Sequence, residues 1–243
     1  MVSLIVFWLF FGVTLLQVKQ RQILAAKSYQ DWLIDGLGLC VQGGGIPWLP
    51  ILSGLYIYSL LLPDLKGVLE LNPGISFLIS FVGVDYLYYW HHRLLHHKFL
   101  FPVHAVHHTV TQMDMLGSSR NTLWSSFLLP YLWVNGFMLY IINDFRSYSL
   151  GIFLTSLLDL WRHSSLNLPQ QSIVYQVLNY CLILPKDHAY NYSRNKPDNF
   201  AANWKLWDRW HGTYVDSHSQ NQSLGITLNM SLMKKLFYPF SEH

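Results

Sequence analysis

Five apolar stretches divide this sequence, and they constrain its fold more than any other feature. The first precedes Lys19, and the others cover residues 37–62, 75–90, 123–142 and 148–161. Only 12% of the 243 residues are charged, which is about half the share in an average soluble domain. A membrane helix needs about 20 apolar residues, so several stretches are short, and tilt or local thinning of the bilayer would have to accommodate them. The sequence predicts an all-α membrane bundle of four or five helices with a histidine-bearing cap.

The N-terminal apolar stretch differs from a secretory signal. Its basic residues, Lys19 and Arg21, follow the apolar run instead of preceding it, and no small-x-small cleavage site closes the run. We therefore expect a first membrane helix at this position. The sequence shows no internal repeat, low-complexity tract or flexible linker, and a single domain over residues 1–243 is predicted.

Basic residues predict the orientation of the helices in the membrane. They follow the first, third and fifth stretches: Lys19, Arg21, Lys27, Arg93, Lys98, Arg162, Lys186, Arg194, Lys196, Lys205 and Arg209. The loops after the second and fourth stretches carry no such excess. Because cytoplasmic loops are enriched in Lys and Arg, every histidine-rich segment is predicted on the cytosolic side. The protein is expected to be multi-pass, in an endoplasmic reticulum or a bacterial inner membrane.

Charge and cysteine content exclude two other classes of protein. The net charge of +3 is too small and too dispersed to indicate binding to nucleic acid. Cys40 and Cys181 are the only cysteines, and they form neither a disulfide framework nor a Cys-x-x-Cys zinc motif. Any chemistry is therefore expected at histidine.

Seven of the twelve histidines lie within residues 90–108, directly after the third apolar stretch. Five of them follow helical spacings. His92 and His96 are spaced i, i+4, and His104, His107 and His108 are spaced i, i+3, i+4. On a helix, both spacings place side chains on one face, within reach of a shared ion. Neutral imidazole is a common ligand for iron, zinc and copper, and these five are predicted metal ligands. His91 and His97 are interpreted as residues of the membrane interface.

The same segment resembles a known family. From Asp85 to Thr109, DYLYYWHHRLLHH and then VHAVHHT are similar to the first two histidine boxes of the fatty acid hydroxylase/sterol desaturase superfamily, His-x3-His and His-x2-His-His. Downstream, WRHSSLNLP and NFAANWKLWDRWHGTY resemble later segments of that family. The resemblance implies an integral-membrane oxygenase with a dinuclear iron centre. It implies these ligands: His92, His96, His104, His107, His108, His163 and His188.

The third box of the family, typically His-His-x2-His-His-Ser, is incomplete in DHAYNYSRN. Only His188 remains, with Asp187 at the leading position and Asn191 and Tyr192 at the closing pair. Asp187 can donate a carboxylate, but Asn191 offers only a weak carbonyl oxygen. Tyr192 would have to lose a proton from a phenol whose ordinary pKa is near 10, which ferric iron can achieve. His211 stands where the family has Phe and is a further possible substitute.

Three outcomes follow from this incomplete box. A substitute ligand, Asp187 or His211, would restore a dinuclear site, or the loss of one ion would leave a mononuclear site. Alternatively, the protein is a non-catalytic relative that binds a lipid or a membrane partner. If active, the resemblance implies hydroxylation or desaturation of a fatty acyl or sterol-like lipid from the bilayer, using iron and dioxygen. Electrons would come from a separate donor, such as a cytochrome b5-like or ferredoxin-like protein, since the chain has no dinucleotide-binding or haem-attachment motif.

Three further polar residues lie near the predicted ligands. Asp85 can hold a ligand imidazole in place, or it can form a cap or a local pair. Asp208 and Arg209, in the motif LWDRW, are predicted to form structural polar contacts. None of the three is predicted to be catalytic.

Overall fold

A computed structural model describes residues 2–192, 198–216 and 224–239 of the chain. The helices in these ranges are α1 (Val2–Thr14), α2 (Val18–Ala25), α3 (Tyr29–Leu61), α4 (residues 73–95), α5 (Phe101–His104), α6 (Pro130–Ile141), α7 (Arg146–Arg162), α8 (Ile173–Cys181), α9 (Pro185–Asn191), α10 (Lys205–Trp210) and α11 (Leu232–Phe237). Short 3-10 turns lie between α5 and α6: His107–Thr109, Met115–Ser119 and Ser125–Leu128. No strand occurs in the described ranges, so the prediction of an all-α fold is confirmed. Ser193, Arg194 and Lys196, from the predicted third box and basic segment, lie outside them.

Helix α3 is the one helix of the described residues that is long and apolar enough to cross a membrane. Its 33 residues span about 50 Å, more than the hydrocarbon core of about 30 Å. Large apolar side chains along it are exposed, including Trp48, Leu55 and Leu60. A helix that buries its apolar residues in a soluble core would not expose such side chains. These features are consistent with a membrane protein, whereas the count of four or five spans stays a prediction.

The long helices form a bundle in which α6 packs on α3, and α7 packs on the first half of α4 and on α1. Gly151 of α7 allows the close approach to α4, because a Cβ at this position would lie 2.6 Å from Oγ of the buried Ser80. Small residues at such crossings let two helix backbones come together. The Tyr148 hydroxyl of α7 donates to Oδ1 of Asn135 in α6 at 2.9 Å, which joins the neighbouring helices.

The apolar stretch over residues 123–142 is an α-helix only in its second part. Helix α6 begins only at Pro130, and residues before it form the 3-10 turn Ser125–Leu128. Leu129 is extended, with ψ 103°, because the ring of a following proline disfavours the helical conformation. Proline itself fits the first turn of a helix, where its missing N–H is not needed.

The segment after α9 folds back onto α4. The Asp85 carboxylate of α4 accepts hydrogen bonds from the backbone N–H groups of Asn203 and Trp204 at 2.8 and 3.2 Å. A small apolar core, which includes Tyr89 and Ile183, packs beside this contact. Asp85 therefore pairs with residues distant in sequence, where a local pair or cap was one of the expected roles, and it attaches the C-terminal segment to the bundle.

A buried ionic network attaches the start of α3 to the loop between α5 and α6. Asp35 is fully buried and binds both Lys27 and Arg120, with 2.6 Å between its Oδ1 and Arg120 Nε. Asp31 and Asp114 complete the network at 2.7 Å from Arg120 and 2.9 Å from Lys27. Buried charges are tolerated when they are paired in this way, so the network holds the backbone of Arg120 in place.

Candidate metal centre

Seven histidines come together where α4 and α7 end. The four-histidine group contains His92, His96, His104 and His108, and the three-histidine group contains His107, His163 and His188. Within each group, the nitrogen atoms that could bind a metal all lie within 4.8 Å of one another. The groups adjoin, since the ring centroids of His104 and His107 are 4.9 Å apart. The structure therefore brings together all seven residues that the sequence marks as ligands.

Five separate elements supply these side chains. His96 and His163 are the C-cap residues of α4 and α7. The C-terminal end of a helix carries a partial negative charge, so both helices favour a cation at this place. His104 belongs to α5 and His188 to α9, while residues 107–108 begin a 3-10 turn.

Backbone carbonyls orient three of the imidazole rings. Nδ1 of His92 lies 2.8 Å from the Phe200 carbonyl, and Nδ1 of His163 lies 2.8 Å from the Asp159 carbonyl. Nδ1 of His107 lies 3.1 Å from the Arg120 carbonyl. A carbonyl only accepts, so each Nδ1 carries the proton and each Nε2 keeps its lone pair for the centre. This arrangement is typical of histidines that bind metal.

Several buried nitrogen atoms of the centre have no hydrogen-bond partner in the described part of the chain. Those that face the centre are Nε2 of His104 and Nε2 of His108, whereas the unpaired Nδ1 atoms of His96 and His188 lie on the ring edge away from the Nε2 atoms that meet His92 and His163. Leaving a buried polar atom unpaired costs about 1–3 kcal/mol. A cluster of such atoms in one place therefore indicates a ligand, and a pair of imidazole-binding metal ions fits the two groups.

Burial keeps the imidazole rings neutral, as metal binding requires. It lowers the pKa of His96 to about 4 and the pKa of His107 to about 3. Burial also lowers the pKa of the remaining members: His92, His104, His108, His163 and His188. At neutral pH the rings therefore carry lone pairs and no charge that would repel a cation.

Asp187 and His211, the substitutes considered from the sequence, are engaged elsewhere. The Asp187 carboxylate accepts from the Leu184 N–H at 2.9 Å and pairs with the fully buried Lys205 at 2.8 Å. Nε2 of His211 lies 3.2 Å from the Tyr86 hydroxyl, among aromatic rings. Neither residue belongs to the two histidine groups, so the structure does not support a dinuclear site completed by Asp187 or His211.

Asn191 and Tyr192 lie at the two histidine groups. Asn191 is 1% exposed, and its side chain partly offsets the lowering of the His96 pKa by burial, which puts Asn191 beside the four-histidine group. Tyr192 is 1% exposed, and its hydroxyl forms a hydrogen bond with Nε2 of His107 in the three-histidine group. The closing positions of the third box thus still face the centre, one at each group.

The carbonyl groups that orient the rings are themselves held by polar contacts. Asp208 accepts from the N–H groups of Phe200 and Ala201 at 2.8 and 3.0 Å, which fixes the Phe200 carbonyl against His92. Asp208 therefore has the structural role expected for it. Sequence reasoning missed the contribution of Arg120. Its backbone carbonyl orients the His107 ring, and no pattern of side chains predicts the position of a backbone carbonyl.

A cavity of about 740 Å³ adjoins the centre. Its wall includes residues of α1, α3, α4, α6 and α7, and most of the exposed lining is apolar. Four of the seven histidines contribute to the wall: His92, His104, His107 and His163. The size is within the range of pockets that bind small ligands, and both histidine groups are in contact with the cavity.

Comparisons with known proteins agree with this geometry. The chain is 27% identical over 144 residues to alkylglycerol monooxygenase of Xenopus tropicalis, which covers 56% of this chain and 30% of that protein. It is 25% identical over 171 residues to alkylglycerol monooxygenase of Danio rerio, which covers 67% of this chain and 36% of that protein. The chain thus spans about a third of the length of these curated relatives. No solved structure gives a significant match.

The comparison with protein families covers both histidine groups. The model of the fatty acid hydroxylase family matches residues 77–213, a range that includes all seven histidines. The match extends over more than half of the chain and includes the Asp85 and Asp208 contacts that hold the C-terminal segment. The chain therefore belongs to the fatty acid hydroxylase family.

Proposed function

We propose that this chain is an iron-dependent, dioxygen-using oxidoreductase that hydroxylates or desaturates the hydrocarbon part of a membrane lipid. The observation that carries the proposal is the pair of adjoining histidine groups in the wall of a mainly apolar cavity. Membership of a family of hydroxylases and similarity to two monooxygenases support the same class of reaction.

The residues of the centre would hold the metal, orient the lipid and exclude water. The seven histidines would bind two ions, one for each group, and the backbone carbonyls at Nδ1 of His92, His107 and His163 would keep the protons away from the ligand side. Bound iron would supply the activation of dioxygen and the cleavage of an unactivated C–H bond, which side chains alone cannot achieve. The apolar wall would hold the hydrocarbon chain beside the centre.

Each hydroxylation consumes one dioxygen, two electrons and two protons, and yields the alcohol and one water. Desaturation takes two hydrogens from adjacent carbons and yields two waters. In both cases the electrons must enter from outside, and we propose a separate donor, a cytochrome b5-like or ferredoxin-like protein. A buried metal site accepts electrons singly through such partners, without a bound dinucleotide.

The substrate is proposed to enter from the bilayer. The cavity wall includes residues of α3, the helix that is able to cross a membrane. Polar side chains in the same wall, such as Gln42 and Asn121, offer hydrogen bonds to the polar head of a lipid. An alkylglycerol, the substrate class in the name of the two relatives, is the first lipid to test.

The protein is proposed to be multi-pass, with both histidine groups on the cytosolic side of the membrane. This proposal rests on the excess of basic residues after the first, third and fifth apolar stretches. The endoplasmic reticulum and a bacterial inner membrane both fit, because in either membrane the electron donor would lie on the cytosolic side.

A second candidate function is that of a non-catalytic relative that binds a lipid. Asn191 favours it, because an amide oxygen is a weak ligand and stands at the four-histidine group where the family closes its third box. This alternative retains the cavity and the fold but requires no bound metal. Metal content therefore separates the two functions.

The test is the iron content of detergent-purified protein, offered iron anaerobically and measured by elemental mass spectrometry. We expect two irons per chain in the wild type and in His97→Ala, whose ring is exposed and outside both groups. His104→Ala should retain less iron, because it removes a ligand. The loaded protein is then given an alkylglycerol, dioxygen and a reductant, and hydroxylated product is sought by mass spectrometry. A folded wild type without iron would support the second candidate.

A further inference from the structure

We infer that the phenolic oxygen of Tyr192 is the fourth protein ligand of the metal ion in the three-histidine group. The inference rests on the proposed metal centre and specifies how one of its ions is held. Tyr192 stands in the third box where the family has histidine, and the structure places its hydroxyl at His107.

In the absence of metal, only one of the two partners can donate the hydrogen bond between Tyr192 and His107. Nδ1 of His107 donates to the Arg120 carbonyl at 3.1 Å, so Nε2 has a lone pair and no proton. The Tyr192 hydroxyl must therefore donate its proton to Nε2. The oxygen and the nitrogen both direct a lone pair into the space between them, and a metal ion would replace the proton once the two atoms separate to ligand distances of about 2 Å each.

The other members of the three-histidine group converge on the same place. Nε2 of His163 and Nε2 of His188 are 3.0 Å apart, and the ligand nitrogens of the group, including that of His107 beside the Tyr192 hydroxyl, all lie within 4.8 Å of one another. Nε2 of His163 keeps its lone pair because its Nδ1 donates to the Asp159 carbonyl. Three imidazole nitrogens and one phenolic oxygen thus surround one position.

Tyr192 makes the two groups equal in the number of ligands. The four-histidine group offers four nitrogens and the three-histidine group offers three, so the phenolic oxygen brings the second to four. Tyrosine is an established ligand of ferric iron in haem proteins. On binding, the phenol releases its proton to solvent, as metal ligands in general must be deprotonated. An anionic oxygen ligand favours the ferric state, so the two ions should differ in reduction potential.

The experiment is visible absorption and resonance Raman spectroscopy of the iron-loaded, air-oxidised protein, together with its iron content. A phenolate bound to ferric iron produces a charge-transfer band, and excitation in that band enhances the ring vibrations of the tyrosine. We expect the band in the wild type and its complete loss in Tyr192→Phe. Tyr190→Phe is the matched control, because Tyr190 lies on α9 two residues before Tyr192, the C-cap of that helix, and is only half-buried. It should keep the band.

A second variant separates loss of the ligand from loss of the fold. Tyr192→His restores the residue of the family, so it should bind two irons and show no band. In Tyr192→Phe, the affinity for one of the two irons should fall about tenfold or more, the scale of effect seen when the surroundings of a metal site are disrupted.

The outcomes distinguish this inference from the proposed function. A band that depends on Tyr192 but not on Tyr190 supports the inference. Two bound irons without a band, or a band that persists in Tyr192→Phe, would overturn it and leave the metal centre in place. A folded wild type that binds no iron would overturn both.

Discussion

At the scale of single residues, the buried histidines make the stability of the metal-free protein depend on pH. An unfolded chain takes up protons on these rings as the pH falls below about 6.5. In the folded protein, burial lowers the pKa of His96 to about 4 and that of His107 to about 3. Between pH 6.5 and the lowered pKa of each ring, the unfolded state binds more protons than the folded state. The free energy of unfolding therefore falls as the pH falls through this range. Each such histidine contributes about 1.4 kcal/mol per pH unit.

This pH dependence can be assigned to individual rings by substitution. We expect His107→Gln, measured by chemical denaturation in detergent after chelation of metal, to unfold with a shallower dependence on pH than the wild type. The difference should approach about 1.4 kcal/mol per pH unit, because one proton fewer is taken up on unfolding. Identical slopes for the two proteins would mean that His107 is not buried as a neutral ring.

Local spacing predicted which histidines lie near one another, but not how they divide into two groups. His107 and His108 are adjacent in the sequence and belong to different groups. They begin a 3-10 turn, in which consecutive side chains differ in direction by about 120°. The prediction treated them as members of one helical face. Partners from α7 and α9 decide the division, and a local pattern contains no information about such distant contacts.

At the scale of elements, the packing of α3 against the loop before α6 supports the centre. Gly38 of α3 lies so close to this loop that a Cβ would be 2.0 Å from the carbonyl oxygen of Ser119. The next residue, Arg120, binds Asp35 of the same helix and presents its carbonyl to His107. A displacement of α3 would therefore move a ring of the three-histidine group.

A pair of glycines on α3 tests this packing. We expect Gly38→Ala to lower the free energy of unfolding by about 1–3 kcal/mol, because the methyl group would overlap a backbone carbonyl. At Gly36, a Cβ would meet no atom within 4 Å. Gly36→Ala should therefore raise stability by up to about 1 kcal/mol, the difference in helix propensity. Unfolding of both variants in detergent provides the measurement, and equal effects would show that α3 does not contact the loop as described.

The positions of the helices were largely predictable, whereas their ends and their charged partners were not. Apolar stretches correspond to α3, α4 and α7, but α6 begins at Pro130, seven residues after the start of its apolar stretch. Asp187 had the chemistry of a metal ligand, but it pairs with Lys205, whose position depends on how α10 packs against α8 and α4. Such a pairing joins residues distant in sequence, so it follows from tertiary structure and not from the composition of the box.

At the scale of the whole molecule, the proposed topology places the ends of α4 on opposite sides of a membrane. Lys66 precedes α4 and Lys98 follows it, and both are exposed. In a background with Cys40→Ser and Cys181→Ser, expressed in a bacterial inner membrane, Lys66→Cys should react with an impermeant maleimide applied to intact cells or right-side-out vesicles. Lys98→Cys should react only after permeabilisation. Equal reaction of both variants from one side would contradict the crossing of α4 and with it the multi-pass topology.

The cavity connects α3, the helix that is able to cross a membrane, with the histidine groups, so under the proposed function its shape should determine which lipids react. Leu157 of α7 contributes to the wall, and a larger ring there would shorten the space for a hydrocarbon chain. We expect Leu157→Trp to lower kcat/KM for a long-chain lipid about tenfold relative to a short-chain one, since each displaced methylene is worth about 1–3 kcal/mol. Leu150→Trp is the matched control, because Leu150 lies on the same helix, is 50% exposed and is not part of the wall. If the two variants change chain-length preference equally, the hydrocarbon chain does not occupy this cavity, and the lipid binds elsewhere.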